Sequence, residues 1–271
     1  MSYSLPSTSP SPTPQLFTYY SLLLTYYLNK MPNLPEMQDI WQKTLGWQPD
    51  NFQQSKLQQL YLAIVEGNRQ LNLTRITEPE EFWEKHLWDS LAGIESLLET
   101  PEEAKSYIDI GTGAGFPGIP VAIVSPQSRV TLLDSTGKKI AFLADLITQL
   151  QLNNATTLLG RAEAIGKRNS HREGYDCALI RAVGQASVCA EYALPLIKIG
   201  GSAILYRGHW SDEDTQSLSV ALKQLRGKIT EVKKLTTPLT NSIRHCIYIR
   251  KLAATPNQFP RAVGMATQKP L

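Results

Sequence analysis

Residues 106–118, Ser-Tyr-Ile-Asp-Ile-Gly-Thr-Gly-Ala-Gly-Phe-Pro-Gly, constrain the fold more than any other part of the chain. A short apolar run, Tyr107, Ile108 and Ile110, is interrupted by Asp109 and drops into alternating glycines. A strand buried on both faces of a parallel sheet has this form where its carboxyl end meets a nucleotide-like ligand. Gly111, Gly113 and Gly115 let the backbone turn sharply and approach a ligand where a Cβ would collide. Pro120, which has no N–H to donate, suits the first turn of a following helix. A βα turn without a ligand is a poor account of the stretch, because glycines this dense weaken a fold unless something approaches the backbone.

One βα unit downstream, residues 129–134 (Arg-Val-Thr-Leu-Leu-Asp) form a second apolar strand that ends in a carboxylate. It lies about 20 residues past the glycines, where doubly wound folds grip a ribose. The two oxygens of Asp134 can accept both hydroxyls of a ribose diol. Residues 113–118 also satisfy the dinucleotide spacing, so a NAD-type oxidoreductase remains open on spacing alone. Charge separates the two readings. Asp109 repels a pyrophosphate but attracts the sulfonium and ammonium of S-adenosylmethionine.

The 271 residues, 42% of them hydrophobic, can bury a sizeable core. The net charge of +3 is unevenly placed. Lys223, Arg226, Lys228, Lys233, Lys234, Arg244, Arg250, Lys251, Arg261 and Lys269 are accompanied by a single acid, Glu231. A polyanionic partner explains this asymmetry, and so does a lysine-rich sheet edge that resists aggregation. Cys177, Cys189 and Cys246 have no paired spacing and read as reduced core thiols of a cytoplasmic protein. The four histidines are scattered, so no metal site is expected.

Residues 1–35 read as a disordered extension rich in Ser, Pro and Thr, with Met31 as an alternative start. Their apolar run is shorter than the roughly 20 residues needed to cross a bilayer, and no membrane association is expected. Residues 36–100 read as an N-terminal helical cap, with Leu57, Leu60, Tyr61, Ile64 and Val65 at helical spacing. That helix is expected to end at Gly67-Asn68, and Thr77 with Glu80 to form a capping box before a helix through Phe82, His86 and Leu91. Residues 101–271 form the sheet domain, with strands at 106–110, 129–134, 155–159, 176–180, 202–206, 229–235 and 244–250. Alternation with helices implies a mostly parallel Rossmann-like α/β sheet. The last two strands have no helix between them and predict an antiparallel edge hairpin.

Several motifs beyond the glycine loop carry a family resemblance. They are Asn72-Leu-Thr74, Lys85-His86-Leu-Trp-Asp89-Ser90, Leu133-Asp134-Ser135, Gly160-Arg161-Ala162-Glu163, Ile180-Arg181-Ala182, Gly200-Gly201, the 259–264 stretch Phe-Pro-Arg-Ala-Val-Gly and the terminal Lys269-Pro-Leu271. With them, the chain from about residue 37 onward resembles the RsmG (GidB) family of class I methyltransferases, which modify N7 of a guanine in bacterial 16S ribosomal RNA. The resemblance implies S-adenosylmethionine as methyl donor and 16S ribosomal RNA or the small ribosomal subunit as partner; nothing in the sequence demands a metal or more than a monomer. It implies that Gly111 and Phe116 line the donor pocket and that Asp134, Ser135 and Thr136 hold the ribose. Ala162 and Glu163 then sit beside the adenine, where a spare carboxylate oxygen can accept from the exocyclic amine. Arg181 stands at the mouth of the site. Where the family usually has Lys-Gly after the fifth strand, this chain has Arg207-Gly208, a planar fork in place of a point charge.

Guanine N7 offers a lone pair and has no proton to lose, so its methylation requires no general base and rests on positioning and electrostatics. On that expectation Asp109 and Asp134 orient the donor, while Arg161, Arg181 and Arg207 hold the RNA backbone or guanine O6. Plainer roles compete: a strand-end ion pair at Arg181, a helix neighbour's partner at Arg161, and a solvated loop charge at Arg207. His86 and Asp89, at i and i+3, either contact substrate or pack the cap onto the sheet. Asn72 either closes a turn or reaches across the donor pocket. A non-catalytic RNA-binding protein with a relic pocket is the remaining alternative.

Overall fold

The computed structural model describes residues 32–98 and 103–271, so the expectation for residues 1–35 falls almost wholly outside the described part. Strand β1 (Ser106–Ile110) is central, and its side chains divide between two cores. Tyr107 joins the layer formed with the N-terminal helices, while Ile108 and Ile110 join the layer on the opposite face. This division follows from the period of two along a strand. β1 pairs in parallel with β2 (Arg129–Asp134) and β4 (Tyr175–Arg181). β3 (Ala155–Leu159) lies beyond β2, and β5 (Ile197–Arg207) beyond β4. The antiparallel pair β6 (Gly227–Thr236) and β7 (Ile243–Lys251) completes the order β3-β2-β1-β4-β5-β7-β6. This is the mostly parallel Rossmann-like sheet with an antiparallel edge expected of class I methyltransferases.

Leu34–Leu271 forms one compact unit, in which the N-terminal helices cover one sheet face. Helices α1 (Gln38–Leu45) and α2 (Asn51–Leu71) bring Trp41, Leu57, Leu60 and Tyr61 into that layer, against Trp83 and Trp88. Asp50 and Gln53 form the capping box that starts α2. Buried Glu84 ties this layer to the edge hairpin by accepting the Leu239 and Thr240 N–H groups at 2.6 and 2.9 Å.

Two local expectations fail. Helix α2 runs past Gly67-Asn68 and ends at Asn72, whose φ of 47° provides the left-handed turn. Gly67 serves packing instead: a Cβ there would sit 2.4 Å from the Phe142 ring. The Thr77–Glu80 capping box is also absent. Glu78 is the N-cap of α3 (Pro79–Phe82), without a side-chain bond, and Pro79 supplies a helix-ready first residue. The predicted helix through His86 then widens into a π turn, Trp83–Trp88, before α4 (Asp89–Ala92).

Candidate functional site

The sheet order reverses between β1 and β4, and such a switch point opens a crevice at the carboxyl ends of the strands. A cleft of about 340 Å³ lies there. Of the residues singled out from sequence, Gly111, Asp134, Ser135, Arg161, Ala162 and Glu163 line it. Val183, Tyr192 and Thr267 also line it, and no sequence signal marked them.

The glycine loop leaves β1 with the Gly111 and Thr112 N–H groups donating to Leu133 O, at 2.8 and 3.0 Å. Gly111 and Gly115 adopt φ values of 71° and 99° and are also sterically obligatory. A Cβ at Gly111 would meet Val183 at 2.6 Å, and one at Gly115 would meet Ile119 at 2.7 Å. Gly113 needs only its φ of 61°, since the space around it is open. Gly113 and Gly115 therefore shape the loop and do not line the cleft.

Asp109 lies beneath this loop and is no part of the cleft wall, contrary to its expected role in facing the donor. Alternation along β1 puts it on the Tyr107 side, away from Ile110, which lines the cleft. Asp109 Oδ2 accepts from Thr112 Oγ1 at 2.6 Å and from the Gly118 N–H at 2.8 Å, while Oδ1 has no partner. Complete burial pushes its carboxyl up to about 6, although these hydrogen bonds and Arg181 oppose the rise. Asp134 stands at the cleft itself. Its Oδ2 accepts the Gly113 N–H at 3.0 Å and its Oδ1 the Thr136 N–H at 2.8 Å, which leaves lone pairs on both oxygens. Thr136 contributes this backbone bond but does not line the cleft.

These bonds bear on the dinucleotide reading. A pyrophosphate needs the N–H groups of the glycine loop and of the helix start. Here the Gly113 N–H is taken by Asp134, and the Gly118 N–H, which opens α5 (Gly118–Val124), is taken by Asp109. Both N–H groups are thus committed to carboxylates and are not free for a diphosphate.

Across the cleft, Glu163 is 2% exposed. Its Oε1 accepts from the Gly264 N–H at 3.0 Å, Tyr192 Oη at 3.2 Å and Arg161 Nη2 at 3.2 Å, while Oε2 has no partner. Burial raises its carboxyl, but the hydrogen bonds outweigh that, and the net shift is downward. Glu163 is thus an anion at neutral pH with one uncommitted oxygen. Arg161 is half-exposed at the rim.

Arg181 ends β4 and turns toward the cap. It donates to Lys85 O at 2.8 Å, Asp89 Oδ2 at 3.0 Å and His86 Nδ1 at 3.2 Å, and lies over the Phe116 ring. A guanidinium only donates, so His86 Nδ1 accepts and its Nε2–H donates to Thr74 Oγ1 at 2.8 Å. Burial, followed by the positive charges of Arg181 and Lys85, lowers His86 to about 3 and keeps it neutral. Phe116 is buried and stacks on His86 with centroids 4.5 Å apart; it packs the loop against the cap and does not line the cleft. His86 and Asp89 therefore meet through Arg181, in the plainer ion-pair arrangement. Arg207, at the end of β5, donates to Gly184 O at 2.6 Å and Cys189 Sγ at 3.4 Å, two acceptors that its fork spans. Asn72 is exposed and closes α2.

The basic C-terminal third is partly neutralised from afar. Lys233 pairs with Glu95, Arg244 with Asp89 at 3.6 Å, Lys251 with Glu173 at 2.9 Å and Arg261 with Glu191 at 2.6 Å. The three cysteines are buried free thiols, and burial pushes Cys177 up to about 12. Among the described residues, no His/Cys/Asp/Glu cluster fits a metal and no helix is long and apolar enough to cross a membrane.

A family model described as rRNA small subunit methyltransferase G matches residues 53–246. Proteins named ribosomal RNA small subunit methyltransferase G are similar over most of this chain. The one from Trichormus variabilis is 61% identical over 88% of this chain and 98% of its own length. That from Nostoc punctiforme is 60% identical over 88% of this chain and 98% of its own. That from Trichodesmium erythraeum is 55% identical over 90% and 96%.

Proposed function

Since this chain belongs to the rRNA small subunit methyltransferase G family, we propose that it transfers a methyl group from S-adenosylmethionine to N7 of a guanine in 16S ribosomal RNA. The observation that carries the donor assignment is the acceptor set of the cleft: Asp134 with lone pairs to give, and Glu163 with a buried oxygen that lacks a partner. A ribose diol and an exocyclic amine are donors that fit these two groups. The same acceptors, together with the carboxylates that take the loop N–H groups, disfavour a diphosphate.

When bound, the donor supplies a methyl group on a positively charged sulfur. The chain holds it: Asp134 and Ser135 take the ribose, Glu163 and Ala162 take the adenine, and Gly111 permits close backbone approach. No base is needed at N7, so the remaining work is to align the guanine with the donor and keep water out. Arg161 at the rim and Arg207 contact RNA phosphates or guanine O6, away from the developing cationic ring. Arg181 acts through others, fixing the loop at Phe116 and the cap at Asp89. The six basic residues Lys223, Arg226, Lys228, Lys234, Arg250 and Lys269 make no ion pair among the described residues, and some of them add phosphate contacts. In this reading the protein works in the cytoplasm as a monomer on the small ribosomal subunit.

The test is transfer of tritium from labelled S-adenosylmethionine to protein-free 16S RNA and to 30S subunits from a strain lacking the modification. Label recovered as N7-methylguanosine at one position is expected. A bound donor with no transfer to either substrate overturns the enzyme reading in favour of a relic pocket.

A further inference from the structure

The segment 259–268 crosses the cleft wall far in sequence from every strand tip that forms the site. Phe259 and Ala266 anchor it in the core. Between them Gly264, with φ of 83°, presents its N–H to Glu163 Oε1, and Thr267 meets Tyr192 Oη at 3.2 Å. Tyr192 in turn bonds Glu163 Oε1, so two of that oxygen's three partners depend on where this segment lies.

One buried ion pair sets its place. Glu191, adjacent to Tyr192 in α6 (Ala186–Ala193), is fully buried, and its carboxylate accepts four bonds from Arg261. The Arg261 N–H and Nε reach Oε1 at 2.8 and 3.0 Å, and Nε and Nη2 reach Oε2 at 3.1 and 2.6 Å. Arg161, the third partner of Oε1, is half-exposed and screened by solvent, so it cannot fix the carboxylate alone. A bidentate guanidinium–carboxylate pair fixes distance and angle together, and loss of one partner leaves a buried charge that forces rearrangement.

We propose that Arg261 is a positioning residue for the donor. By locking segment 259–268 onto Glu191, it holds Glu163 Oε1 occupied and leaves Oε2 as the acceptor for the adenine amine. The proposal rests on the reading of the cleft as the donor site. Its specific consequence is base selectivity: an acceptor fixed at Oε2 favours a 6-amino purine over a 6-oxo purine, which turns an oxygen toward it.

The experiment titrates S-adenosylhomocysteine and its inosine counterpart into wild type, Arg261→Ala, Arg261→Lys, Tyr192→Phe and Glu163→Ala, with melting curves on each. Wild type should prefer the adenine compound by about tenfold or more, the cost of an unmatched buried polar group. Arg261→Ala and Glu163→Ala should lose most of that preference, while Arg261→Lys and Tyr192→Phe should retain about a third of it. If Arg261→Ala does not fold, the Lys and Phe variants decide, since each keeps the packing and removes only bonds. Full preference in every folded Arg261 and Tyr192 variant, whatever their melting temperatures, overturns the proposal and leaves the donor site standing. Failure of S-adenosylhomocysteine to bind wild type overturns both.

Discussion

Asp134 ends β2 and Arg181 ends β4, the two strands that flank β1, and their side chains meet opposite fates. Asp134 is held by two backbone N–H groups, lines the cleft and keeps lone pairs to offer. Arg181 spends its guanidinium on Lys85, His86 and Asp89, inside the protein. The difference lies in what surrounds each tip. Past β2 there is only backbone to satisfy, whereas past β4 stands a helical cap with a carbonyl, a ring nitrogen and a carboxylate facing the sheet. Equivalent positions in a doubly wound sheet therefore become a cleft-wall group or a structural tie, according to the layer that covers them. Changes on the Asp134 side should act on donor binding, and changes on the Arg181 side on stability and turnover.

The largest effect expected is on the loop both halves share. Gly115→Ala places a Cβ against Ile119 at a φ of 99° and should cost about 3 kcal/mol of stability. Gly113→Ala meets open space and should cost only about 1 kcal/mol. Urea unfolding measures both, and equal costs would mean that the loop is looser than its contacts imply.

On the cap side, Arg181→Ala removes the nearer of the two cations paired with Asp89 and should cost about 2 kcal/mol in the same assay. Turnover should fall with the loosened Phe116 contact. Unchanged stability would dissolve the contrast between the two strand tips.

A pH slope sharpens the cap side further. His86 titrates near 3 in the folded protein against an ordinary 6.5, so its contribution is whole above pH 6.5 and is lost as pH falls toward 3. His86→Gln keeps an acceptor for Arg181 and a donor for Thr74 but does not titrate. The stability advantage of wild type over this variant should therefore shrink by about 1.4 kcal/mol between pH 7.5 and 5.5. A constant difference across that range would mean that His86 is not held neutral.

What the sequence made legible was local. The apolar runs ending at Ile110 and Asp134, and the glycines between them, are patterns a few residues long, and they located the cleft and the acid on its wall. The missing helix before residue 243 located the antiparallel edge. What stayed hidden depends on partners distant in sequence. Gly67 has the composition of a helix end, but Phe142 packs against it. Arg181 has the composition of an anion ligand, but residues 85–89 claim it. Tyr192, Arg261 and Thr267 carry no catalytic pattern of their own, and only the folded chain brings Tyr192 to Glu163, Thr267 to Tyr192 and Arg261 to Glu191. Four members of the basic run after residue 223 are likewise offset, by Glu95, Asp89, Glu173 and Glu191.

The central claim is that the β2 tip binds the methyl donor while the β4 tip holds the fold. Calorimetric titration of S-adenosylmethionine into wild type, Asp134→Ala and Arg181→Ala tests it most directly. Asp134→Ala should weaken the donor by about 100-fold, about 2.7 kcal/mol, while Arg181→Ala stays within about threefold of wild type. Equal affinity in wild type and Asp134→Ala would contradict the account.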